Sequence, residues 1–427
     1  MKLNVKRTVL TGLAFLSICT FWQMYDFTVP LILKYYFAVG DTLAGVVMAM
    51  DNVLALFMLP LFGALSDRCH LSMGRRMPFI LWGTLAAALL TACLPLVIAQ
   101  NNLLLFFLVL GLLLIAMGTY RSPAVALMPD LTPKPLRSKG NAIINLMGAV
   151  GGVLALGLIQ VAVVKTVHPV TGEPLSDYRY LFWAVALIMI LSVAILKMTI
   201  DERSMALSSG SEESDISSGG ISSLAPEVRR SMLLILFSVF FWFMGYNAVI
   251  SAFSKYAISS WGATEGAAAR CVMIASVAAI ASYLPVGIVS SRYGRKRVIQ
   301  FGVVLLAICY ACVGFFHQMA GLIYLFFCLV GLAWAAINVN SFPMVVELSS
   351  GSDTGRYTGY YYTFSMAAQV VTPILSGWLL RHVSYYTLFP YAALFVAGSF
   401  VTMLFVRHGD VKAEAKTGLA AFEDMDT

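Results

Sequence analysis

The chain has 427 residues, of which 60% are hydrophobic and only 11% charged, against roughly 25% charged in an ordinary soluble domain; its mean hydropathy is +0.84. No soluble fold buries that much apolar surface. A cytosolic enzyme, a secreted disulfide scaffold and a disordered chain are excluded, and an all-α integral membrane protein is expected. The net charge of +7 does not point to nucleic acid, because the basic residues fall in short segments between apolar runs, where they orient the chain in a bilayer.

A spanning helix needs about 20 mainly apolar residues. Six are predicted near 8–36, 42–66, 77–99, 102–129, 138–165 and 179–200, and six more near 230–258, 265–290, 297–317, 320–346, 356–380 and 384–406. The stretch 201–228 is rich in Ser, Gly and Glu without apolar period, and reads as a flexible cytoplasmic linker between halves 1–200 and 229–407. Residues 408–427 form a polar cytoplasmic tail. The basic start resembles a signal peptide, but the apolar run continues past Asp26 to about Leu33 without a small-x-small cleavage site, so a retained first span is expected. Cys309 and Cys312 form a CxxC inside a span with no second ligand pair, which reads as packing rather than a metal site.

With the N-terminus inside, 21 of the 28 Lys and Arg fall in inner segments and four in outer ones. That split places both termini and the linker in the cytoplasm of a multi-pass protein of the plasma or inner membrane.

The two halves repeat. Gly63-Ala-Leu-Ser-Asp67-Arg68 ends span two, and Gly287-Ile-Val-Ser-Ser291-Arg292 ends span eight. Each is followed by a basic triplet, Gly74-Arg75-Arg76 and Gly294-Arg295-Lys296. Asp130 precedes Arg137 and Gly140 as Glu347 precedes Arg356 and Gly359. Matched motifs in register imply a duplicated six-helix unit. Glycines let helix ends approach closely, and Asp67, Arg68, Arg75 and Arg76 are placed to pair with neighbouring helix ends when an inner gate shuts. Asp130 and Glu347 are natural acceptors for Arg. The plainer role, orienting loops and binding lipid head groups, leaves those carboxylates unexplained. Ser291 stands where the first half has Asp67, so the second gate is expected to be weaker.

This 6+6 layout with G-x-x-x-D-R and G-R-[RK] between spans two and three resembles the major facilitator superfamily, over residues 8–407. The longer loop from Asp67 to Ile80, and the stretch from Arg121 to Pro133, are similar to the branch of sucrose–proton symporters and glycoside–pentoside–hexuronide:cation symporters. The resemblance implies a secondary transporter of two pseudo-symmetric bundles working by alternating access, with sugar carried alongside a proton or sodium ion. It also implies that the first and fourth helix of each half line the pathway, and it favours a monomer.

A charge deep in a span costs at least ~2.5–3.5 kcal/mol, so each one needs a reason. Asp26 lies well inside span one, on one face with Gln23 and Pro30 and flanked by Trp22 and Tyr25. Asp51 and Asn52 interrupt span two, and Arg121 interrupts span four. Lys255 and Arg270 read as snorkelling residues near outer helix ends. By helix rise, Asp26 stands ~25 Å above the inner end of its span and Arg121 ~12 Å, so a direct bridge is not expected without tilt; Asp51, ~14 Å in from the outside, is nearer to Arg121 in depth. One of Asp26 or Asp51 is expected to bind the coupling cation, with Arg121 hydrogen-bonding the substrate.

A small polar solute also needs amides and an aromatic face. Span ten offers Asn338 and Asn340 near Trp334, with Pro343 expected to interrupt the helix as Pro123 does in span four. Span seven offers Trp242, Tyr246 and Asn247, and spans five and eleven add Asn145 and Gln369. Helix–helix hydrogen bonding is the plain alternative for any one amide. No Walker A, HExxH or GxSxG sequence is present, so neither ATP-driven transport nor an enzyme is expected. Coupling needs an ion but no cofactor. The partners are a solute and lipid, not nucleic acid. An exporter or symporter of a non-sugar metabolite or drug is the competing reading.

Overall fold

The computed structural model describes residues 4–69, 71–132, 137–167, 174–202, 225–346, 348 and 354–409. Among these, twelve helices are long and apolar enough to cross a membrane. The first six are Val5–Tyr35, Asp41–Asp67, Met77–Ala99, Leu103–Met128, Ile143–Ala162 and Arg179–Thr199. The second six are Pro226–Trp261, Glu265–Tyr293, Arg295–Gly314, Gly321–Val345, Gly359–His382 and Tyr385–Leu404. Most of the expected linker (203–224) and the tail from 410 lie outside the described residues.

Span seven begins at Pro226, inside the stretch expected as linker, and runs on to Trp261. Span five stops at Ala162 rather than continuing to Lys165, and the chain enters a strand, β1 (Val164–Val167), paired antiparallel with β2 (Pro174–Asp177). Val161, Val163, Val164, Thr166 and Val167 are β-branched, which satisfies an apolar run and a strand equally well.

The helices form two compact units. One contains residues 1–40, 50–209 and 264–273; the other contains 41–49, 210–263 and 274–427. Each unit therefore takes the first turns of one long helix from the opposite half of the sequence. Within the first, span one packs on spans five and six, and span three on spans four and six. Within the second, span seven packs on eleven and twelve, and span nine on ten and twelve. Every pairing of the first set recurs in the second, so the repeat read in the motifs extends to the packing. Large apolar side chains such as Phe57, Leu104 and Met198 are exposed on the helices, a surface only lipid can cover.

Candidate functional site

Span one carries Trp22, Tyr25 and Asp26 on one turn. The Trp22 and Tyr25 rings meet edge to face with centroids 5.4 Å apart. Span four sets the Arg121 guanidinium over the Trp22 ring, 5.6 Å from its centroid. Asp26 is close enough to sense the charges of both Asp51 and Arg121, and Asp51 senses Arg121 as well. The Asn52 amide donates to Asp51 Oδ1 at 2.9 Å. Gln23 lies beside Gly152 of span five, and Asn145 is buried on the same helix. The structure thus gathers Asp26, Asp51 and Arg121 in one unit, with Arg121 over Trp22, one turn nearer the start of span one than Asp26. No ion pair among the described residues includes Asp26, Asp51 or Arg121. Among the described residues, the Trp22 Nε1 and Tyr25 Oη donors are buried without a hydrogen-bond partner.

In the second unit, Tyr246 of span seven stacks on Trp334 of span ten, centroids 3.6 Å apart and planes within 6°. Phe243 abuts the Trp334 edge at 5.5 Å. Among the described residues, Asn247 Nδ2 and Tyr310 Oη are buried without partners. Trp242 is wholly buried as core. Asn338 is hydrogen-bonded to Tyr283 of span eight, and Asn340 donates to the Ala336 carbonyl at 2.9 Å. Each of these two amides has a protein partner, whereas Asn247 Nδ2 has none among the described residues. Gln369 is half-buried on span eleven. The expected breaks at Pro123 and Pro343 do not occur. The helices Leu103–Leu131 and Gly321–Val346 run through both prolines, as spanning helices permit where neighbours relieve the freed carbonyls.

The loop between spans two and three is organised by one side chain. Arg76 is buried; its Nε lies 2.9 Å from Asp130 Oδ2, its Nη1 donates to Ser66 Oγ and, at 3.2 Å, to the Gly63 carbonyl, and its Nη2 pairs with Asp67. Arg75 approaches the same Asp130 oxygen at 3.5 Å. Arg68 is exposed. Gly74 has φ +109°, and its counterpart Gly294 has φ +91°; both lie in the region glycine favours. Ser66 Oγ donates to the Gly63 carbonyl at 2.8 Å and Ser290 Oγ to the Gly287 carbonyl at 3.0 Å, the same bond in each half. Ser291 turns back to the Ile288 carbonyl, Arg292 is exposed and Arg295 buried. Lys296 Nζ, the counterpart of Arg76, donates to the Val406 carbonyl at 2.6 Å and the Leu404 carbonyl at 3.2 Å. Glu347 and the side chains of Arg137 and Arg356 lie outside the described residues.

Sequence reasoning missed Glu202. Placed at the start of a stretch that reads as linker, it is 2% exposed and accepts the backbone N–H groups of Arg75, Arg76 and Met77 at 2.8–3.0 Å. It caps the N-terminus of span three. Lys255 also departs from expectation. It does not snorkel; its side chain is 4% exposed and its Nζ lies 2.9 Å from Asp41 Oδ1. Arg270 is exposed, and its Nε donates to Gln160 Oε1 at 3.3 Å.

Twelve spans in two matching sets define a polytopic membrane protein built from a repeated six-helix unit. The chain belongs to the Major Facilitator Superfamily, whose family model matches residues 11–260 and 235–423. No curated protein matches. Solved structures of similar fold include a nucleoside transporter (TM-score 0.68, 15% identity, covering 95% of this chain and 100% of that one). An auto-inhibited POT-family peptide transporter matches with TM-score 0.68 and 12% identity, covering 97% and 99%. A bacterial homologue of the human lysosomal transporter Spinster, inward-facing and unoccupied, matches with TM-score 0.66 and 14% identity, covering 95% of each chain.

Proposed function

We propose that this Major Facilitator transporter is a symporter that couples a proton or sodium ion to uptake of a neutral sugar or glycoside such as sucrose, with both termini in the cytoplasm. The observation that carries this reading is the charge of one intramembrane cluster. Asp26 and Asp51 share a single arginine, Arg121. Two carboxylates against one guanidinium leave one excess negative charge, which a low-dielectric site tolerates poorly. One bound cation removes it, so ion binding and the freedom of the carrier to rearrange become linked. The unpartnered Trp22 Nε1 and Tyr25 Oη offer donors to solute hydroxyls, and Arg121 offers more. The Tyr246–Trp334 stack and Asn247 of the second unit have the apolar-face-plus-amide chemistry that sugars use.

The test is uptake of labelled sucrose, other glycosides and nucleosides (themselves glycosides) into proteoliposomes under an inward proton or an inward sodium gradient. Accumulation under one gradient, abolished by the matching ionophore, establishes symport and names the ion. No uptake of any glycoside under either gradient, beside a working reconstituted control carrier, removes the sugar assignment and favours a non-sugar metabolite or drug.

A further inference from the structure

Trp22-Gln23 of span one and Tyr246-Asn247 of span seven are the same aromatic–amide step, 224 positions apart, the offset that separates Gly63 from Gly287. In each compact unit the ring of this step meets a planar group from the fourth span of its half. In the first unit the Arg121 guanidinium stands over Trp22, 5.6 Å from the ring centroid. In the second, Trp334 lies flat on Tyr246, centroids 3.6 Å apart and planes 6° apart. By the 217-residue offset of Asp130 and Glu347, Arg121 matches Asn338, and Trp334 stands one turn before it. Backbone contact sets where both rings begin. A Cβ on Gly151 of span five would overlap the Leu16 carbonyl of span one, and Thr20 Oγ1 donates to the Gly151 carbonyl at 3.1 Å. A Cβ on Gly245, the residue before Tyr246, would overlap the Ala392 carbonyl of span twelve. Other rings brace the pairs: Phe21 and Tyr25 meet Trp22 edge to face at 5.3 and 5.4 Å, as Phe243 meets Trp334 at 5.5 Å.

We propose that Trp22 and Tyr246 are repeat-equivalent positioning residues, each holding by its ring the planar group that the fourth span of its own unit presents. A cation over an indole is attracted by the ring quadrupole, most strongly where water is excluded. The attraction acts on the charge, so the five N–H donors of Arg121 stay available to oxygen acceptors. It also restricts a long, many-rotamer side chain before any solute arrives, which lowers the ordering cost of binding. Trp334, with Tyr246 on its face and Phe243 at its edge, is kept in one orientation by stacking. One duplicated position thus holds a hydrogen-bonding group in the first unit and an apolar plate in the second. The proposal rests on the symport reading only for what Arg121 then meets, the solute.

Thermal melting of the full-length protein in detergent tests the holding contacts without any solute, so their failure and that of the sugar assignment are distinguishable. Trp22→Phe keeps a ring and Trp22→Leu does not, so Trp22→Leu should melt lower. That gap should shrink by at least half when both are made in an Arg121→Gln background, because the ring then has no cation to hold. Where Arg121→Gln does not yield monodisperse protein, Arg121→Met takes its place. In the second unit the gap between Tyr246→Phe and Tyr246→Leu should shrink likewise in a Trp334→Leu background. An equal gap in both backgrounds, in either unit, marks ordinary packing and overturns the proposal. The positioning role is read in proteoliposomes with labelled sucrose. Trp22→Leu should raise the half-saturating concentration roughly three- to tenfold beyond Trp22→Phe at the same maximal rate. Equal half-saturation for those two variants overturns the role of Trp22. Absence of sucrose uptake by wild type removes the sugar reading and leaves the melting comparisons to decide.

Discussion

Arg76 Nε and Asp130 Oδ2 meet at 2.9 Å, and the same guanidinium also holds Ser66, the Gly63 carbonyl and Asp67. With only 8% of the Arg76 side chain exposed, little water replaces those contacts. Arg76→Ala leaves Asp130 facing a site without its cation, and removing one partner of a buried pair costs roughly 3–5 kcal/mol. A large fall in the melting temperature of purified protein is expected. Arg76→Lys keeps the charge but loses the planar fork, and should recover less than half of the loss. The double variant Arg76→Ala with Asp130→Ala should be more stable than the sum of the single effects predicts. Additive effects would show that the pair is incidental.

The end of span three is set from the other side of the loop. Glu202 occupies three backbone N–H groups there, and Gly74 keeps the space clear: a Cβ at Gly74 would collide with the Glu202 carboxylate and would sit at φ +109°. Glu202→Gln retains acceptors but loses the charge that favours a helix N-terminus, and should cost about 1 kcal/mol; Glu202→Ala should cost about 2 kcal/mol. Gly74→Ala should be more damaging than Glu202→Gln, since it adds backbone strain to a lost cap. Thermal unfolding of the three variants in one detergent gives the order directly, and a Glu202→Ala variant as stable as wild type would show that water caps this helix equally well.

Span positions and the repeat were legible because they rest on run length and spacing, which the bilayer enforces on every helix. The Gly63–Ser66 and Gly287–Ser290 matches carry over from motif to hydrogen bond for the same reason. Glu202 was not legible: a carboxylate among serines and glycines looks solvated, and only tertiary placement turns it into a cap. Lys255 looked like a snorkelling residue because its partner, Asp41, is 214 positions away. A signal existed, since Asp41 and Glu265 share the repeat offset of the motif glycines. Depth counting set Asp26 apart from Arg121, whereas in the structure Arg121 lies over Trp22, one turn along span one from Asp26, and within electrostatic reach of both carboxylates.

The charge balance of that cluster predicts how its variants fail. Asp26→Asn or Asp51→Asn removes the excess negative charge permanently, leaving nothing for the coupling cation to neutralise. The carboxylate that binds the ion should, when replaced, lose accumulation against a gradient while keeping solute exchange at equal concentrations. The other should mainly weaken solute binding. The double variant Asp26→Asn with Asp51→Asn should show no concentrative uptake at all. Accumulation by the double variant, measured in proteoliposomes under the gradient that drives wild type, would place coupling elsewhere in the chain.

The two unpartnered donors beside those acids separate a solute site from a merely buried turn. Trp22 Nε1 and Tyr25 Oη have no acceptor among the described residues, and one hydrogen bond to an uncharged group contributes about 0.5–1.5 kcal/mol net. If solute hydroxyls supply the missing acceptors, Trp22→Phe should raise the half-saturating solute concentration roughly two- to tenfold with the maximal rate little changed. Tyr25→Phe should act alike, and the pair together should approach the product of the two. Trp183 provides the control: its Nε1 already donates to the Ala92 carbonyl at 3.1 Å on an exposed face, so Trp183→Phe should leave transport kinetics as they are. Equal half-saturation for Trp22→Phe, Tyr25→Phe and wild type would mean that these donors never meet the solute.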